Sequence, residues 1–150
     1  MEINGLPLHP LVVHAAVVFG PIAALLAIAY VVRPAWQVRL RTPLVVMAVV
    51  SLASILAAYF SGDSFRGANA FFADNAQIDE HEERAGLLLW VTIAFGVIAL
   101  VSASFQRRSP GVRGGLHVLL AVSAVAMLVM VVLTGDAGAR AVYPPDSFNG

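Results

Sequence analysis

Four long apolar stretches, none of which contains an aspartate, glutamate, lysine or arginine, dominate the sequence. They cover about residues 11–32, 43–62, 85–105 and 115–135. Each reaches the roughly 20 residues that a helix needs to cross about 30 Å of hydrocarbon. Because 59% of the residues are hydrophobic and only 12% are charged, the chain lacks the polar side chains that cover a water-exposed surface. The sequence therefore predicts an all-α integral membrane protein, a single four-transmembrane-helix bundle over residues 1–150.

The segments between these stretches differ in charge. The two short segments at residues 33–42 and 106–114 hold six arginines and none of the nine acidic residues. Cytoplasmic loops of membrane proteins carry the excess of arginine and lysine, so these two segments are expected in the cytoplasm. We therefore expect both termini and the long loop 63–84 to lie outside. The four stretches then form two tandem helical hairpins that share one orientation in the membrane.

Composition excludes several kinds of site. The chain has no cysteine, which removes disulfides, thiolate zinc sites, iron–sulfur clusters and covalently attached c-type haem. It has no lysine, so a Schiff-base or P-loop lysine is excluded as well. Zero formal net charge, without a basic stripe, argues against nucleic-acid binding. The use of arginine alone, with abundant alanine and valine, is typical of GC-rich bacteria, and we expect a protein of the bacterial cytoplasmic (inner) membrane.

Four histidines are the main candidates for chemistry. His9 and His14 stand at the outer end of the first stretch, and His81 lies in an acidic run before the third. His117 is near the cytoplasmic end of the fourth, roughly 20 Å of bilayer away from His14, so these two cannot share an iron. We expect an outer cluster of the first three histidines. Three further polar residues belong to the same outer face: Asp63, Asp136 and Arg140.

The spacing of the histidines leaves several interpretations open. His9 and His14 are about 140° apart around a helix, so they do not form the i, i+4 pair of helical zinc sites. His14 can be a neutral imidazole that bonds a neighbouring helix, His81 a hydrated loop residue, and His117 a packing residue. The sequence also lacks a nucleophile elbow, a Walker loop and a zincin motif. We assign no catalytic residue, and a non-enzymatic function is the stronger expectation.

Small residues at a spacing of four occur on the first two stretches: Ala16, Gly20, Ala24, and Ser54, Ala58, Gly62. In lipid such residues let helix backbones approach closely, which predicts helix packing at these positions. A second interpretation is that Gly20, which precedes Pro21, makes room for a flat cofactor in a kinked first helix.

Similar residues close the second and fourth stretches: Ser61-Gly62-Asp63 and Thr134-Gly135-Asp136. Glycine is common just beyond the last turn of a helix, which predicts that these helices end at Gly62 and Gly135. Pro10 suits a first helical turn, which places His9 near the N-cap. Together with the alternation of loop charge, the matching ends indicate a weak internal repeat.

The ends of the chain resemble a known family of small bacterial membrane proteins, domain-of-unknown-function family 2231. The resemblance is carried by the opening run Gly5-Leu6-Pro7-Leu8-His9-Pro10-Leu11-Val12-Val13-His14 and by the closing run Thr134-Gly135-Asp136-Ala137-Gly138-Ala139-Arg140-Ala141-Val142-Tyr143. Ala139 and Arg140 stand where the family pattern has a second glycine and an acid. The resemblance implies four transmembrane helices. It also implies a redox role, because some relatives are similar in layout to haem-carrying bundles or occur beside respiratory proteins.

Three functions are compatible with these features. The first is a b-type haem held on the outer side between His14 and either His81 or His9, which passes electrons in or near a respiratory chain. The second is a non-catalytic accessory subunit that packs its small-residue faces against a larger membrane complex. The third is an outward-facing metal or proton site built on His9, His14, Asp63 and Asp136. The expected partners are the lipid bilayer and respiratory or other complex subunits, and a homo-oligomer is left open.

Overall fold

The computed structural model describes residues 2–3, 6–67, 75–105 and 109–143. Arg107 and Arg108, which belong to the arginine segment 106–114, lie outside the described residues. Two short strands, β1 (Glu2–Ile3) and β2 (Leu6–Pro7), pair antiparallel before the first helix. Four helices make up most of the rest: α1 (Leu8–Val32), α2 (Gln37–Gly67), α3 (Ala76–Ser104) and α4 (Pro110–Val142), with a 3₁₀ turn (Pro34–Trp36) between α1 and α2.

All four helices are long and apolar enough to span a membrane. The prediction of an all-α four-helix membrane bundle is therefore confirmed. Large apolar side chains stay exposed along the outward sides of the helices, as expected for surfaces that face acyl chains. Five exposed valines on α4 follow a helical spacing: Val118, Val122, Val125, Val129 and Val132.

The helices extend beyond the apolar stretches. α3 begins at Ala76, where the Asn75 side chain caps it by accepting a hydrogen bond of 2.9 Å from the Gln77 amide. The prediction that helices end at Gly62 and Gly135 is wrong, because α2 continues to Gly67 and α4 to Val142. Hydropathy locates the hydrocarbon layer, whereas a helix continues into the headgroup region wherever its backbone bonds are kept.

The four helices form a closed square. α1 packs against α2 and α4, and α3 packs against the same two helices, with the most extensive contacts inside each hairpin. α1 and α3 therefore face each other across the bundle, as α2 and α4 do. One end of the bundle carries the starts of α1 and α3, and we call it the histidine end after His9 and His81. The other end carries Arg33, Arg39 and Arg113, and we call it the arginine end.

The buried residues reveal the internal repeat more clearly than the sequence does. A shift of 72 residues carries each buried residue of α1 onto a buried residue of α3, from Ala16 and Leu88 to Tyr30 and Ser102. A shift of 76 carries those of α2 onto α4, from Leu44 and Leu120 to Ser61 and Ala137. The two shifts differ by four because the connection inside the second hairpin, from Ser102 to Leu120, is four residues longer than the equivalent connection from Tyr30 to Leu44. The two hairpins are thus one structural unit used twice.

Two of the paired core positions of α1 and α3 are complementary in size. Ala23 corresponds to Phe95, and Tyr30 corresponds to Ser102, with all four residues buried. The Tyr30 hydroxyl reaches the Ser102 carbonyl oxygen at 3.5 Å. Two residues that face each other across a close-packed interior cannot both be large, so each pair couples a large residue with a small one.

Candidate functional site

His9 lies in the first turn of α1 and bonds to the far end of α2. Its Nδ1 is 3.1 Å from the Ala58 carbonyl oxygen and 3.1 Å from the Ser61 hydroxyl. The ring also stacks on Phe65, with centroids 5.9 Å apart. A Cβ at Gly62 would lie 3.0 Å from Cε1 of His9, so only a glycine lets the imidazole rest against this turn of α2.

His81 repeats this arrangement between α3 and α4. Its Nδ1 is 3.0 Å from the Thr134 carbonyl oxygen. A Cβ at Gly138 would lie 3.0 Å from both Cε1 and Nδ1 of the ring. Arg84 strengthens the same junction, because its Nη1 donates to the Leu133 carbonyl at 2.9 Å and its own carbonyl accepts from the Thr134 hydroxyl at 3.3 Å. The second imidazole is thus seated on α4 as the first is on α2.

We call each of these contacts a histidine seat: His9 against Ala58 and Gly62, and His81 against Thr134 and Gly138. The internal repeat relates the two seats. The shift of 76 that relates the cores of α2 and α4 also carries Ala58 onto Thr134 and Gly62 onto Gly138. Both rings are half-buried. The structure thus places His9 and His81 at the same end of the bundle, on two helices that face each other.

Each seat fixes the proton on one ring nitrogen. A backbone carbonyl only accepts hydrogen bonds, so the neutral imidazole donates through Nδ1–H and keeps the Nε2 lone pair unprotonated. Within the described residues, neither Nε2 has a hydrogen-bond partner. Histidines that bind a metal characteristically donate the other ring N–H to a carbonyl or carboxylate, which orients the ring and raises its basicity. His9 and His81 both have this arrangement.

His14 has a different environment. It is exposed, and its Nδ1 is 2.6 Å from the Pro10 carbonyl oxygen of its own helix. The shift of 72 that relates His9 to His81 carries His14 onto Gly86, so the second hairpin has no equivalent imidazole. Of the three histidines grouped in the predicted outer cluster, His9 and His81 thus hold equivalent positions, whereas His14 lies on the outside of α1.

The space beside Gly20 is filled by protein. A Cβ at Gly20 would lie 3.3 Å from Val131 Cγ2 and 3.4 Å from Met127 Cε, both on α4. The neighbouring small residues Ala16 and Ala24 are buried in the same interface. The geometry matches helix packing, the simpler of the two interpretations of this stripe.

The remaining polar residues of the histidine end form separate pairs. Arg66 of α2 binds Asp79 of α3 at 2.6 Å and also contacts Glu82, so it joins the two hairpins. Arg140 pairs with Asp136 one turn earlier on α4 at 2.9 Å. An arginine thereby compensates the acid near the negative end of the α4 dipole. Asp63 is exposed on α2.

Sequence reasoning missed the two glycine seats. It matched Gly62 with Gly135 through their similar neighbours, whereas the structure pairs Gly62 with Gly138. The available signal was the i, i+4 spacing from Ala58 to Gly62 and from Thr134 to Gly138.

His117 lies at the arginine end, where its ring meets Tyr30 edge-on, with the ring centroids 5.8 Å apart.

A bundle of four membrane-spanning helices, built from two equivalent hairpins with one seated histidine each, defines a class of small multi-pass membrane protein. The family model described as "Predicted membrane protein (DUF2231)" matches residues 5–145, and the chain belongs to this family. The resemblance seen in the two end runs is thus confirmed. No curated protein and no solved structure matches the chain.

Proposed function

We propose that this protein binds one b-type haem between His9 and His81 and passes single electrons at its histidine end. The observation that carries the proposal is the pair of equivalent imidazoles, each of which donates Nδ1–H to a backbone carbonyl and leaves Nε2 for a ligand. Absence of cysteine restricts any haem to non-covalent attachment. A bound haem would supply reversible one-electron oxidation and reduction.

The donor set favours haem over a bare metal ion. Within the described residues there is no group of three or more histidine, aspartate or glutamate side chains that could hold a metal ion. A bare zinc ion takes three or four protein ligands, whereas haem iron receives four nitrogens from the porphyrin and needs only one or two from the protein. Two imidazoles are enough for haem iron but too few for a bare zinc ion.

The repeat supports a shared ligand. His9 and His81 are equivalent residues on α1 and α3, which face each other across the bundle. A single ligand bound between two equivalent residues makes the same contact with each of them. A haem held by two histidines would be a ligand of this kind. The glycine seats support it too, because Gly62 and Gly138 hold each ring against a helix and so limit its rotation.

The proposal revises the ligands expected from sequence. His14 was expected to bind the iron with His81 or His9, and His9 takes its place here because it shares the seat geometry of His81. We further propose that the histidine end and both termini face outward from a bacterial cytoplasmic membrane, in or near a respiratory chain. The support is the set of arginines at the opposite end.

An accessory-subunit role is the alternative. It needs the small-residue stripe of α1 at the protein surface, but Ala16, Gly20 and Ala24 are buried inside the chain. Nothing else in the described residues favours that role, so it becomes the expected function only if haem binding fails.

The test is haem loading of purified protein in mild detergent. Haemin titration, followed by a reduced-minus-oxidised visible spectrum, measures the bound b-type haem per chain. We expect about one haem in the wild type and in His14→Ala, and a loss in the double variant His9→Ala/His81→Ala. His14→Ala is the matched control, since it removes an imidazole from the same end. Stoichiometric haem in the double variant, or none in the wild type, would overturn the proposal.

A further inference from the structure

A pocket opens at the arginine end, across the bundle from the histidines. Its volume is about 400 Å³, and six residues line it: Pro34, Gln37, Pro110, Arg113, Gly114 and His117. These residues come from the 3₁₀ turn, the start of α2 and the start of α4. The pocket is separate from the proposed haem site.

The internal repeat relates residues of the pocket lining to one another. The shift of 76 that relates α2 to α4 carries Pro34 onto Pro110 and Gln37 onto Arg113. The starts of two equivalent helices therefore meet at one pocket. Each start brings the positive end of a helix dipole. The Gln37 amide at the start of α2 already donates to the Pro34 carbonyl of the 3₁₀ turn, so the first-turn amides without an acceptor within their helix are those of α4. Ser109, the residue before α4, makes no side-chain capping bond to those amides.

The pocket also has unbalanced positive charge. Arg113 forms no ion pair within the described residues, and His117 lies one turn further along α4. All the acidic side chains of the described helices are at the histidine end, where four of them, Asp79, Glu80, Glu82 and Asp136, pair with Arg66, Arg84 or Arg140. Arg113, His117 and the starts of two helices thus border one cavity, and no acidic side chain of the described helices lies at this end of the bundle.

The shape of the pocket leaves room for a ligand to approach the backbone. A Cβ at Gly114 would meet nothing within 4 Å, and the same holds at Gly111. The surrounding side chains are held in place by Tyr30, whose ring contacts His117 and whose carbonyl accepts from Gln37 Nε2 at 3.2 Å. Buried beside Tyr30 is Ser102, whose hydroxyl has no hydrogen-bond partner within the described residues.

We propose that this pocket binds a phosphate group, supplied either by the headgroup of an anionic phospholipid or by free phosphate. An arginine fork and helix-start amides are the donors that phosphate oxygens accept from in proteins. The location fits as well, since basic pockets between helices at the cytoplasmic interface bind anionic headgroups. The pocket would then fix a lipid, or sense phosphate, on the face opposite the electron-transfer site.

The test uses delipidated protein in neutral detergent with two probes. Inorganic phosphate and a short-chain phosphatidylglycerol are titrated, and the fluorescence of Trp36 is followed in a Trp90→Phe background. Trp36 belongs to the 3₁₀ turn beside the pocket, whereas Trp90 is exposed on α3 far from it. We expect saturable binding of at least one probe, weakened roughly tenfold in Arg113→Gln.

Two further variants separate the pocket from general surface charge. Arg39→Gln removes an exposed arginine from the same end but outside the pocket, and we expect binding to weaken less than about threefold. Gly114→Leu keeps every charge and fills the pocket, and we expect it to abolish binding. Circular dichroism melting of each variant verifies the fold.

The outcomes identify the source of the phosphate. Arg113-dependent binding of both probes supports a phosphate site that free phosphate can occupy. Arg113-dependent binding of the lipid alone supports a headgroup site. Equal weakening by Arg113→Gln and Arg39→Gln, full binding in Gly114→Leu, or no saturable binding of either probe would each overturn the proposal.

Discussion

His9 and His81 hold equivalent positions in the two hairpins, and each bonds the helix that closes its own hairpin. His9 Nδ1 lies 3.1 Å from the Ala58 carbonyl oxygen, and His81 Nδ1 lies 3.0 Å from the Thr134 carbonyl oxygen. In both cases the next turn provides a glycine whose missing Cβ leaves space for the ring. The same contact thus links the two helices of each hairpin and fixes the orientation of one imidazole.

The glycine seat of His81 predicts a sharp difference between two glycines of α4. Gly138→Ala places a Cβ 3.0 Å from the His81 ring, so the ring must move and its bond to Thr134 is lost. We expect the free energy of unfolding to fall by about 1–3 kcal/mol, and haem affinity to fall with it. Gly135→Ala is the control, because a Cβ there meets nothing within 4 Å. Equal unfolding midpoints for the two variants in detergent would refute the seat.

The buried stripe of α1 predicts a packing penalty at Gly20. Gly20→Leu drives a large side chain into Val131 and Met127, and overpacking of this kind costs about 1–3 kcal/mol. The same change at Gly115 meets open space and is expected to leave the melting temperature nearly unchanged. If instead Gly20 bordered a cofactor slot, Gly20→Leu would lower haem content and leave the stability of the haem-free protein intact.

The ion pairs of Arg66 predict a salt-sensitive link between the hairpins. Arg66→Gln removes its contacts with Asp79 and Glu82, which join α2 to α3. Because the three side chains are partly exposed, the free energy of unfolding should fall only slightly, and the loss should shrink in high salt. Arg140→Gln, whose pair with Asp136 lies within one helix, is the control. Chemical unfolding at low and high salt compares the two, and a loss for Arg66→Gln that persists at high salt would contradict the electrostatic account.

The absence of cysteine gives a clean test of orientation. Gly67→Cys places a thiol at the histidine end, and Ser109→Cys places one at the arginine end, both on exposed positions. In intact cells we expect a membrane-impermeant maleimide to label only the former, and to label both after the cells are broken. Labelling of Ser109→Cys alone in intact cells would invert the proposed topology.

The fold could be predicted from the sequence because a chain in lipid must satisfy its backbone hydrogen bonds internally, which uncharged stretches of spanning length do as helices. Four uncharged stretches of spanning length leave little choice but four helices, and the structure has them. The helix ends were less accessible. Asp63 to Gly67 and Asp136 to Val142 are polar enough to leave the hydrocarbon but stay helical, and hydropathy does not separate those two properties.

The candidate site was accessible in part. His9 and His81 were identified as outer-side histidines, but their relation was hidden because the two shifts of the repeat differ between helices. Hydrogen-bond acceptors such as the Ala58 and Thr134 carbonyls cannot be recognised from residue type, because every residue has a backbone carbonyl. His14 is a candidate in the sequence because it lies within an apolar helix. Its partners depend on its position around the helix, and that position places it on the outside of α1.

Low-temperature electron paramagnetic resonance of the oxidised, haem-loaded protein tests most directly the proposal that His9 and His81 would both hold one haem iron. We predict a low-spin signal of the bis-imidazole type in the wild type and in His14→Ala. Both His9→Ala and His81→Ala should convert it to a high-spin signal, because each removes one of the two proposed imidazole ligands. An unchanged low-spin signal in either single variant would contradict the account.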